Sequence, residues 1–134
     1  MNRTLLVAAT LLAGPAAAQD FVQFQSPTGN IHCMIFSGPD AGARCDILEA
    51  TRSFPAAPGW CDLDWGHAFE VSAFGVGAPI CAGDTVADSR SAVLGYGGSV
   101  SLGGVICSSA ETGVTCRNGA GHGFSLRRAR QEVF

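Results

Sequence analysis

The segment with the most varied chemistry spans residues 60–67 and reads Trp-Cys-Asp-Leu-Asp-Trp-Gly-His. Asp62 and Asp64 are two positions apart, so both carboxylates face the same way in an extended chain. With the imidazoles of His67 and His122, they offer the donor types that bind a divalent metal or divide acid and base roles. Aspartates beside Gly and Trp also cap turns through backbone hydrogen bonds, and that structural role is the more frequent one.

Two tryptophans, Trp60 and Trp65, flank Cys61 in the same segment. They have the shape of an aromatic platform for a sugar or a peptide, although tryptophans in such positions commonly pack on a neighbouring disulfide. A binding role requires at least one of them to be partly exposed, because aromatic anchors dominate binding energy. Asp84, between Gly83 and Thr85, is most simply a turn residue.

Several familiar catalytic motifs are absent from the sequence. It contains no Gly-x-Ser-x-Gly, no His-Glu-x-x-His and no Cys-x-x-Cys. The glycine-rich stretch 119–123 lacks the strand–turn–helix context of a phosphate-binding loop. If all six cysteines form disulfides, no thiolate nucleophile remains. The sequence therefore predicts no catalytic residue, no metal and no cofactor.

The N-terminal residues have the pattern of an export signal. Arg3 supplies a positive charge, residues 4–14 are almost wholly apolar, and Ala16-Ala-Ala18 provides the small residues that signal peptidase reads. The apolar run is too short to span a bilayer. We expect residues 1–18 to be a signal peptide and residues 19–134 a single domain that is periplasmic or extracellular and has no membrane span after cleavage.

The charge of the chain restricts its partners. All eight basic residues are arginines, against eleven Asp and Glu, and the formal net charge is −3. An acidic surface gives no electrostatic basis for binding nucleic acid. The arginines near the C-terminus, Arg117, Arg127, Arg128 and Arg130, are interpreted as a solvated face. The expected partner is a protein or a glycan of the cell envelope.

Two stretches predict hairpins closed by their own disulfides. If Cys107 pairs with Cys116, residues 108 and 115 and then 109 and 114 fall opposite each other, leaving a four-residue loop that ends at Gly113. Earlier in the chain, Cys33 shares a strand face with Ile31 and Ile35. Cys45 likewise shares a face with apolar neighbours, as an inward disulfide between paired strands requires.

Six cysteines in an exported chain predict three disulfides. Hairpin register favours Cys33–Cys45 and Cys107–Cys116, and Cys61–Cys81 follows by elimination. Six cysteines allow fifteen connectivities, and sequence alone does not choose among them.

Many short strand patterns, 18 glycines and the lack of a long helical pattern predict an all-β fold, a small antiparallel barrel or sandwich stapled by three disulfides. The three- and four-residue spacing of Leu126, Ala129 and Val133 is compatible with a final helical turn. His32 alternates with Ile31 and Cys33, which predicts an ordinary position on a strand surface.

Several short motifs in order resemble a domain-of-unknown-function family of small exported bacterial proteins. The motifs are Ser26-Pro-Thr-Gly-Asn-Ile-His-Cys33, Arg44-Cys-Asp-Ile47, Asp64-Trp-Gly66, Cys81-Ala-Gly-Asp-Thr85, Gly95-Tyr-Gly97, Gly113-Val-Thr-Cys116 and Gly121-His-Gly-Phe124. The resemblance implies an extracytoplasmic location and a shared disulfide-stapled fold. It implies no activity, substrate or catalytic residue.

Two classes of function are compatible with these observations. The first is a non-catalytic binding or interaction module of the bacterial cell envelope, with Trp60 and Trp65 as its binding residues. The alternative is a small hydrolase or metal-dependent enzyme that uses Asp62, Asp64 and His67. A concave pocket lined by these polar residues favours the enzyme, and an exposed aromatic patch favours the binding module.

Overall fold

The computed structural model describes Ala9, Thr10, Leu12, Gly14 and residues 20–134. The described residues form eleven strands and no helix: β1 (Phe21–Gln25), β2 (Ile31–Phe36), β3 (Gly42–Ile47), β4 (Ala68–Ser72), β5 (Ala78–Pro79), β6 (Ala92–Val93), β7 (Ser99–Leu102), β8 (Val105–Ala110), β9 (Gly113–Asn118), β10 (Gly123–Leu126) and β11 (Gln131–Val133). No helix that is long and apolar enough to cross a membrane therefore occurs among them.

The strands form two sheets. A six-stranded sheet has the order β5-β4-β3-β2-β1-β6, and a five-stranded sheet has the order β11-β10-β9-β8-β7. Every neighbouring pair is antiparallel except β1 and β6, which are parallel. The predicted all-β fold is confirmed, and of the two predicted forms the molecule is sandwich-like rather than a closed barrel.

Alternation along the strands places apolar side chains between the sheets. In β2, Ile31, Cys33 and Ile35 are buried on one face, and Cys33 lies directly opposite Cys45 of β3. The core combines the inner faces of both sheets. Its members are Phe24, Ile31, Cys33, Ile35, Ala43, Cys45, Ile47, Phe69, Val71, Val105, Cys107, Val114, Cys116, Phe124 and Leu126.

The hairpin of β8 and β9 has the predicted register, with Cys107 opposite Cys116 and the next two pairs as expected. Pairing continues one step further, to Ala110 and Gly113, so the tip is only two residues long. Gly113 therefore belongs to a strand. A Cβ at this position would collide with the carbonyl oxygen of Leu126 in the neighbouring strand, so close approach of two backbones requires the glycine.

The three disulfides join successive cysteines: Cys33 to Cys45, Cys61 to Cys81 and Cys107 to Cys116. The first and third lie within hairpins of the core, on facing sheets. The second ties the irregular segment before β4 to the segment after β5.

The final helical turn with which the spacing of Leu126, Ala129 and Val133 is compatible does not form. Residues 123–133 form a β-hairpin in which Phe124 lies opposite Val133, with a turn closed by backbone hydrogen bonds between Arg127 and Arg130. Gln131 is buried and exchanges hydrogen bonds with Ser53. These pairings override the helical spacing of the apolar residues, as tertiary contacts commonly do.

The chain must cross the six-stranded sheet between β5 and β6, because these strands are at its opposite edges. Residues 84–91, named here the crossing segment, pass over the outer face of the sheet, the face turned away from the core. They contact β3, then β2, then β1 in turn. The outer face is thus partly covered.

The two ends of the sandwich carry different loops. The loops after β1, β3, β6, β8 and β10 lie at one end, named the Tyr96 end. The loops after β2, β4, β7 and β9 lie at the other, named the Phe74 end. The segment 60–67 enters β4 at the Tyr96 end, where the backbone N–H of Ile47 donates to the carbonyl oxygen of His67 (2.8 Å).

Candidate functional site

The segment 60–67 is irregular but fixed at several points. The Cys61–Cys81 disulfide holds one side of it, with Cα atoms 5.7 Å apart. The N–H of Ala82 donates to the carbonyl oxygen of Asp64 (3.1 Å), and Nη1 of Arg52 donates to that of Trp65 (2.6 Å). The segment therefore presents its side chains from a backbone that is held in place.

The two tryptophans contact each other. The ring centroids of Trp60 and Trp65 are 6.1 Å apart and the ring planes meet at 88°, the edge-to-face arrangement that aromatic pairs favour. Trp60 remains 71% exposed, whereas Trp65 is half-buried. Leu63 lies between them in sequence and is also exposed. Trp60, Leu63 and Trp65 are named here the tryptophan surface.

The structure places His122 away from the other polar residues that the sequence suggested as a constellation. Asp62 and Asp64 are exposed, in a segment without strand structure. His67 precedes β4 at the Tyr96 end, and its Nδ1 is buried without a hydrogen-bond partner in the described chain. His122 is near the other end of β4, because its N–H donates to Asn118, whose amide nitrogen donates to the carbonyl oxygen of Ser72.

Potential metal ligands are grouped at one place in the part of the chain that the structure describes. Cys33, Cys45 and Cys116 have sulfur atoms within 4.8 Å of one another. All three sulfurs are in disulfides, so they have no thiolate to offer a metal. Asp62, Asp64 and His67 do not form such a group among the described residues.

A buried ion pair is the main polar feature that the sequence reasoning missed. Asp46 is fully buried on the outer face of β3, and its carboxylate accepts hydrogen bonds from Nε and Nη2 of Arg44 (2.9 and 3.1 Å). The other donors come from the crossing segment: the hydroxyl of Thr85 (2.9 Å) and the N–H of Val86 (3.1 Å). The pair thus fixes the start of the crossing segment on the sheet.

The guanidinium of Arg44 also donates two hydrogen bonds to Asp84, one to its carboxylate (3.0 Å) and one to its backbone carbonyl oxygen (3.0 Å). Burial by itself lowers the pKa of Arg44, but hydrogen bonds to Asp46 and then Asp84 outweigh it, and the net shift is upward. The hydrogen bond from Arg44, followed by its charge, lowers the pKa of Asp84. Asp84 is therefore not only a turn residue, as its neighbours in sequence suggested, but also a partner of Arg44.

Two further polar side chains hold the rest of the crossing segment. Nδ1 of His32 accepts the N–H of Asp88 (3.3 Å), and its Nε2 contacts the carbonyl oxygen of Gly29 (2.9 Å). The amide nitrogen of Gln25 donates to the carbonyl oxygens of Ser89 and Ser91. His32 is consequently buried, and its predicted position on a strand surface is wrong, because the crossing segment covers that face.

One sequence signal for this network existed. Arg44 and Asp46 are two residues apart in a strand, so they share a face, and opposite charges on one face commonly pair. Nothing in the residue pattern of 84–91 indicates that the segment returns across this face. The burial of Asp46 and His32 was therefore not predictable without the path of the crossing segment.

These features define a small all-β sandwich whose core is stapled by two disulfides and whose irregular segment is fixed by a third. The chain belongs to a family of unknown function (DUF6636), whose profile matches residues 4–134. The predicted resemblance to a domain-of-unknown-function family is confirmed. No curated protein matches the chain, and no solved structure matches it. Because the matching family is one of unknown function, the comparisons name no activity.

Proposed function

We propose that this chain is a non-catalytic binding module of the cell envelope and that the tryptophan surface is its contact surface. The observation that carries the proposal is the geometry of Trp60, which is 71% exposed and braced edge-to-face by Trp65. Burying a large exposed aromatic ring against a partner gives a large gain, and a ring already held in place loses little conformational entropy on binding.

The surroundings of the tryptophans support a protein or glycan partner. The Cys61–Cys81 bond and the backbone hydrogen bonds of Asp64 and Trp65 preorganise the segment. The alternative, an enzyme at Asp62, Asp64 and His67, has less support. Both carboxylates are exposed, whereas catalytic acids and bases usually sit in partly desolvated clefts.

Export is part of the proposal. Three disulfides support an oxidising compartment, which the periplasm and the extracellular space provide. We propose that residues 1–18 are removed as a signal peptide, and that the mature domain acts outside the cytoplasm.

Affinity capture tests the contact surface. Bead-bound mature protein is incubated with periplasmic extract, and bound proteins and sugars are identified by mass spectrometry. Trp60→Ala is expected to lose the ligand that the wild type retains. The matched control is Phe74→Ala, which removes an aromatic side chain that is 93% exposed at the opposite end of the sandwich, and it is expected to retain the ligand.

Two results would remove the support for this function. One is equal loss of the ligand in Trp60→Ala and Phe74→Ala. The other is turnover of an envelope substrate by purified protein that Asp62→Asn or Asp64→Asn abolishes without unfolding the domain. Unfolding curves for each variant separate loss of binding from loss of fold.

A further inference from the structure

Two neighbouring cavities lie at the Tyr96 end of the sandwich and share the lining residues Leu48, Glu49 and Arg128. The two together are named here the groove. One cavity, of about 430 Å³, lies between Tyr96 and the tip of the β8–β9 hairpin. The other, of about 570 Å³, lies beside Arg52 and His67. Both volumes are within the usual range of ligand sites.

The wall between the two cavities is held by both sheets. The side chain of Asn30 accepts the N–H of Glu49 (2.8 Å) and donates to its carbonyl oxygen (2.9 Å). The N–H of Leu48 donates to the backbone of Asn30 (2.9 Å), and that of Thr51 donates to the carbonyl oxygen of Arg128 (2.8 Å). Because the groove is already formed, ordering its residues costs less free energy when a ligand binds.

The first cavity offers an aromatic and an aliphatic side chain among polar and charged groups. Tyr96, the only tyrosine of the chain, is 48% exposed, and Leu48 beside the same cavity is also exposed. The ring of Tyr96 has an apolar face and a polar hydroxyl, the combination suited to a ligand with both apolar and hydroxylated surfaces. A pyranose ring has both.

The charges of the groove are uneven. Arg52 and Arg128 line the second cavity with Glu49 as the acidic member, so this cavity is locally basic in a chain of net charge −3. Glu49 and Glu111 line the first cavity with Arg128 as the basic member. An anionic group of a ligand is therefore favoured on the side of Arg52 and Arg128, and hydroxyl groups on the side of Tyr96.

The guanidinium of Arg128 can donate further hydrogen bonds to a ligand. Its Nη2 contacts a carboxylate oxygen of Glu49 at 2.9 Å, and its side chain is 74% exposed. A guanidinium has five N–H donors, so further donors remain for a second acceptor. Arginine binds carboxylates through paired hydrogen bonds, which adds geometric selectivity to the charge.

We propose that this groove binds a carboxylate-bearing oligosaccharide, with a sugar ring against Tyr96 and a carboxylate on Arg128 and Arg52. The site is separate from the tryptophan surface, because neither Trp60 nor Trp65 lines either cavity. Its failure and the failure of the tryptophan surface are therefore distinguishable with different variants.

Calorimetric titration with tetragalacturonic acid tests the ligand class, and its fully methyl-esterified form is the matched neutral sugar. The acid is expected to bind the mature protein at least about tenfold more tightly than the ester, because the ester lacks the charge-assisted hydrogen bonds. Equal affinity for both sugars, or no binding of the acid at millimolar concentration, would overturn the proposal.

Paired variants test the residues. Arg128→Gln is expected to weaken binding of the acid by about 10–100-fold. Arg130→Gln makes the same charge change in the same turn, but Arg130 pairs with Glu132 (2.9 Å) and lines neither cavity. It is expected to leave affinity within about twofold, since exposed pairs contribute little. Equal losses in the two variants would assign binding to general charge and overturn the site.

Two more variants complete the test. Arg128→Lys keeps the charge but not the paired donors, and it takes the place of Arg128→Gln if that variant proves unstable; it is expected to weaken binding of the acid but not of the ester. Tyr96→Ala is expected to weaken the binding of both the acid and the ester, because the stacking of a sugar ring on Tyr96 does not depend on the carboxylate. If Tyr96→Ala has no effect while Trp60→Ala abolishes binding of the acid, the sugar binds at the tryptophan surface and the groove assignment is wrong.

Discussion

The Sγ atom of Cys45 lies 3.7 Å from the Sγ atom of Cys116. Cys45 belongs to the six-stranded sheet and Cys116 to the five-stranded sheet, so the Cys33–Cys45 and Cys107–Cys116 disulfides meet at the centre of the core. All four cysteines are at most 1% exposed. The two bonds therefore act as core side chains as well as crosslinks.

Removing a core disulfide is expected to cost more than removing the surface one. The Cys107–Cys116 and Cys61–Cys81 bonds have sequence separations of 9 and 20, and loop entropy alone favours the longer loop by about 0.7 kcal/mol. Loss of buried sulfur contacts opposes that order. In urea unfolding, Cys107→Ala/Cys116→Ala should lose free energy of unfolding near the upper end of roughly 2–5 kcal/mol.

The matched variant is Cys61→Ala/Cys81→Ala, in which both cysteines are only half-buried. It is expected to fall near the lower end of the same range, roughly 2–5 kcal/mol. If the two losses instead follow loop length, the contact between the disulfides contributes nothing measurable to stability.

Asp46→Asn is expected to destabilise the domain strongly. The substitution removes the charge that Arg44 binds inside the fold and replaces a carboxylate oxygen with a donor facing other donors. Breaking one partner of a buried ion pair typically costs about 3–5 kcal/mol. Chemical denaturation measures the change. Asp84→Asn is the comparison, since it removes the charge of the second carboxylate that Arg44 binds, on a side chain that is 80% exposed; a loss as large as that of Asp46→Asn would contradict the ranking.

Acid should weaken the attachment of the crossing segment. Arg44 lowers the pKa of Asp84 in the fold, and the backbone N–H of Arg90, followed by its side chain, lowers that of Asp88. A carboxyl whose folded pKa lies below its unfolded value stabilises the fold above the unfolded pKa, about 3.9. This contribution is lost as the pH falls through the folded pKa.

The measurement is the free energy of unfolding between about pH 5 and pH 2. Stability of the wild type is expected to fall across this window, and Asp84→Asn should show a shallower fall because one of the shifted carboxyls is gone. Asp40→Asn changes an exposed aspartate that has no ion pair within the described chain. A profile for Asp84→Asn as steep as that for Asp40→Asn would refute the assignment.

N-terminal sequencing of protein secreted into the periplasm or medium is expected to begin at Gln19 or at its cyclised form. Cleavage after Ala18 leaves β1 intact, because that strand begins at Phe21, and it keeps the hydrogen bond from the N–H of Asp20 to the hydroxyl of Ser37 (3.2 Å). Recovery of the full-length chain in the cytoplasm would show that the predicted signal is not used.

Local patterns were sufficient for much of the fold. Alternation around Cys33 and Cys45, and the residue count between Cys107 and Cys116, predicted strand faces and register because both depend on the two-residue period of a strand. The path of residues 84–91 was not predictable in this way. The segment has no periodicity of its own, and its position depends on acceptors and donors from three strands distant in sequence.

The same distinction applies to the candidate site. Trp60 and Trp65 were found as residue types, but their edge-to-face contact depends on the conformation of an irregular segment. Tyr96 and Arg128 were not connected by any sequence pattern, since they lie in loops that are far apart in the sequence, after β6 and after β10. The spacing of Leu126 and Val133 suggested a helix because it satisfied the helical period, while strand pairing decided the outcome.

The outermost strands of the six-stranded sheet limit how the protein can self-associate. β5 and β6 are each two residues long, and β5 contains Pro79, which has no N–H to offer an incoming strand. The longer strands β1 to β4 lie between them, so each outermost strand offers an incoming chain only two residues to pair with. Short edge strands, and a proline in one of them, oppose strand-by-strand aggregation of a β-rich domain.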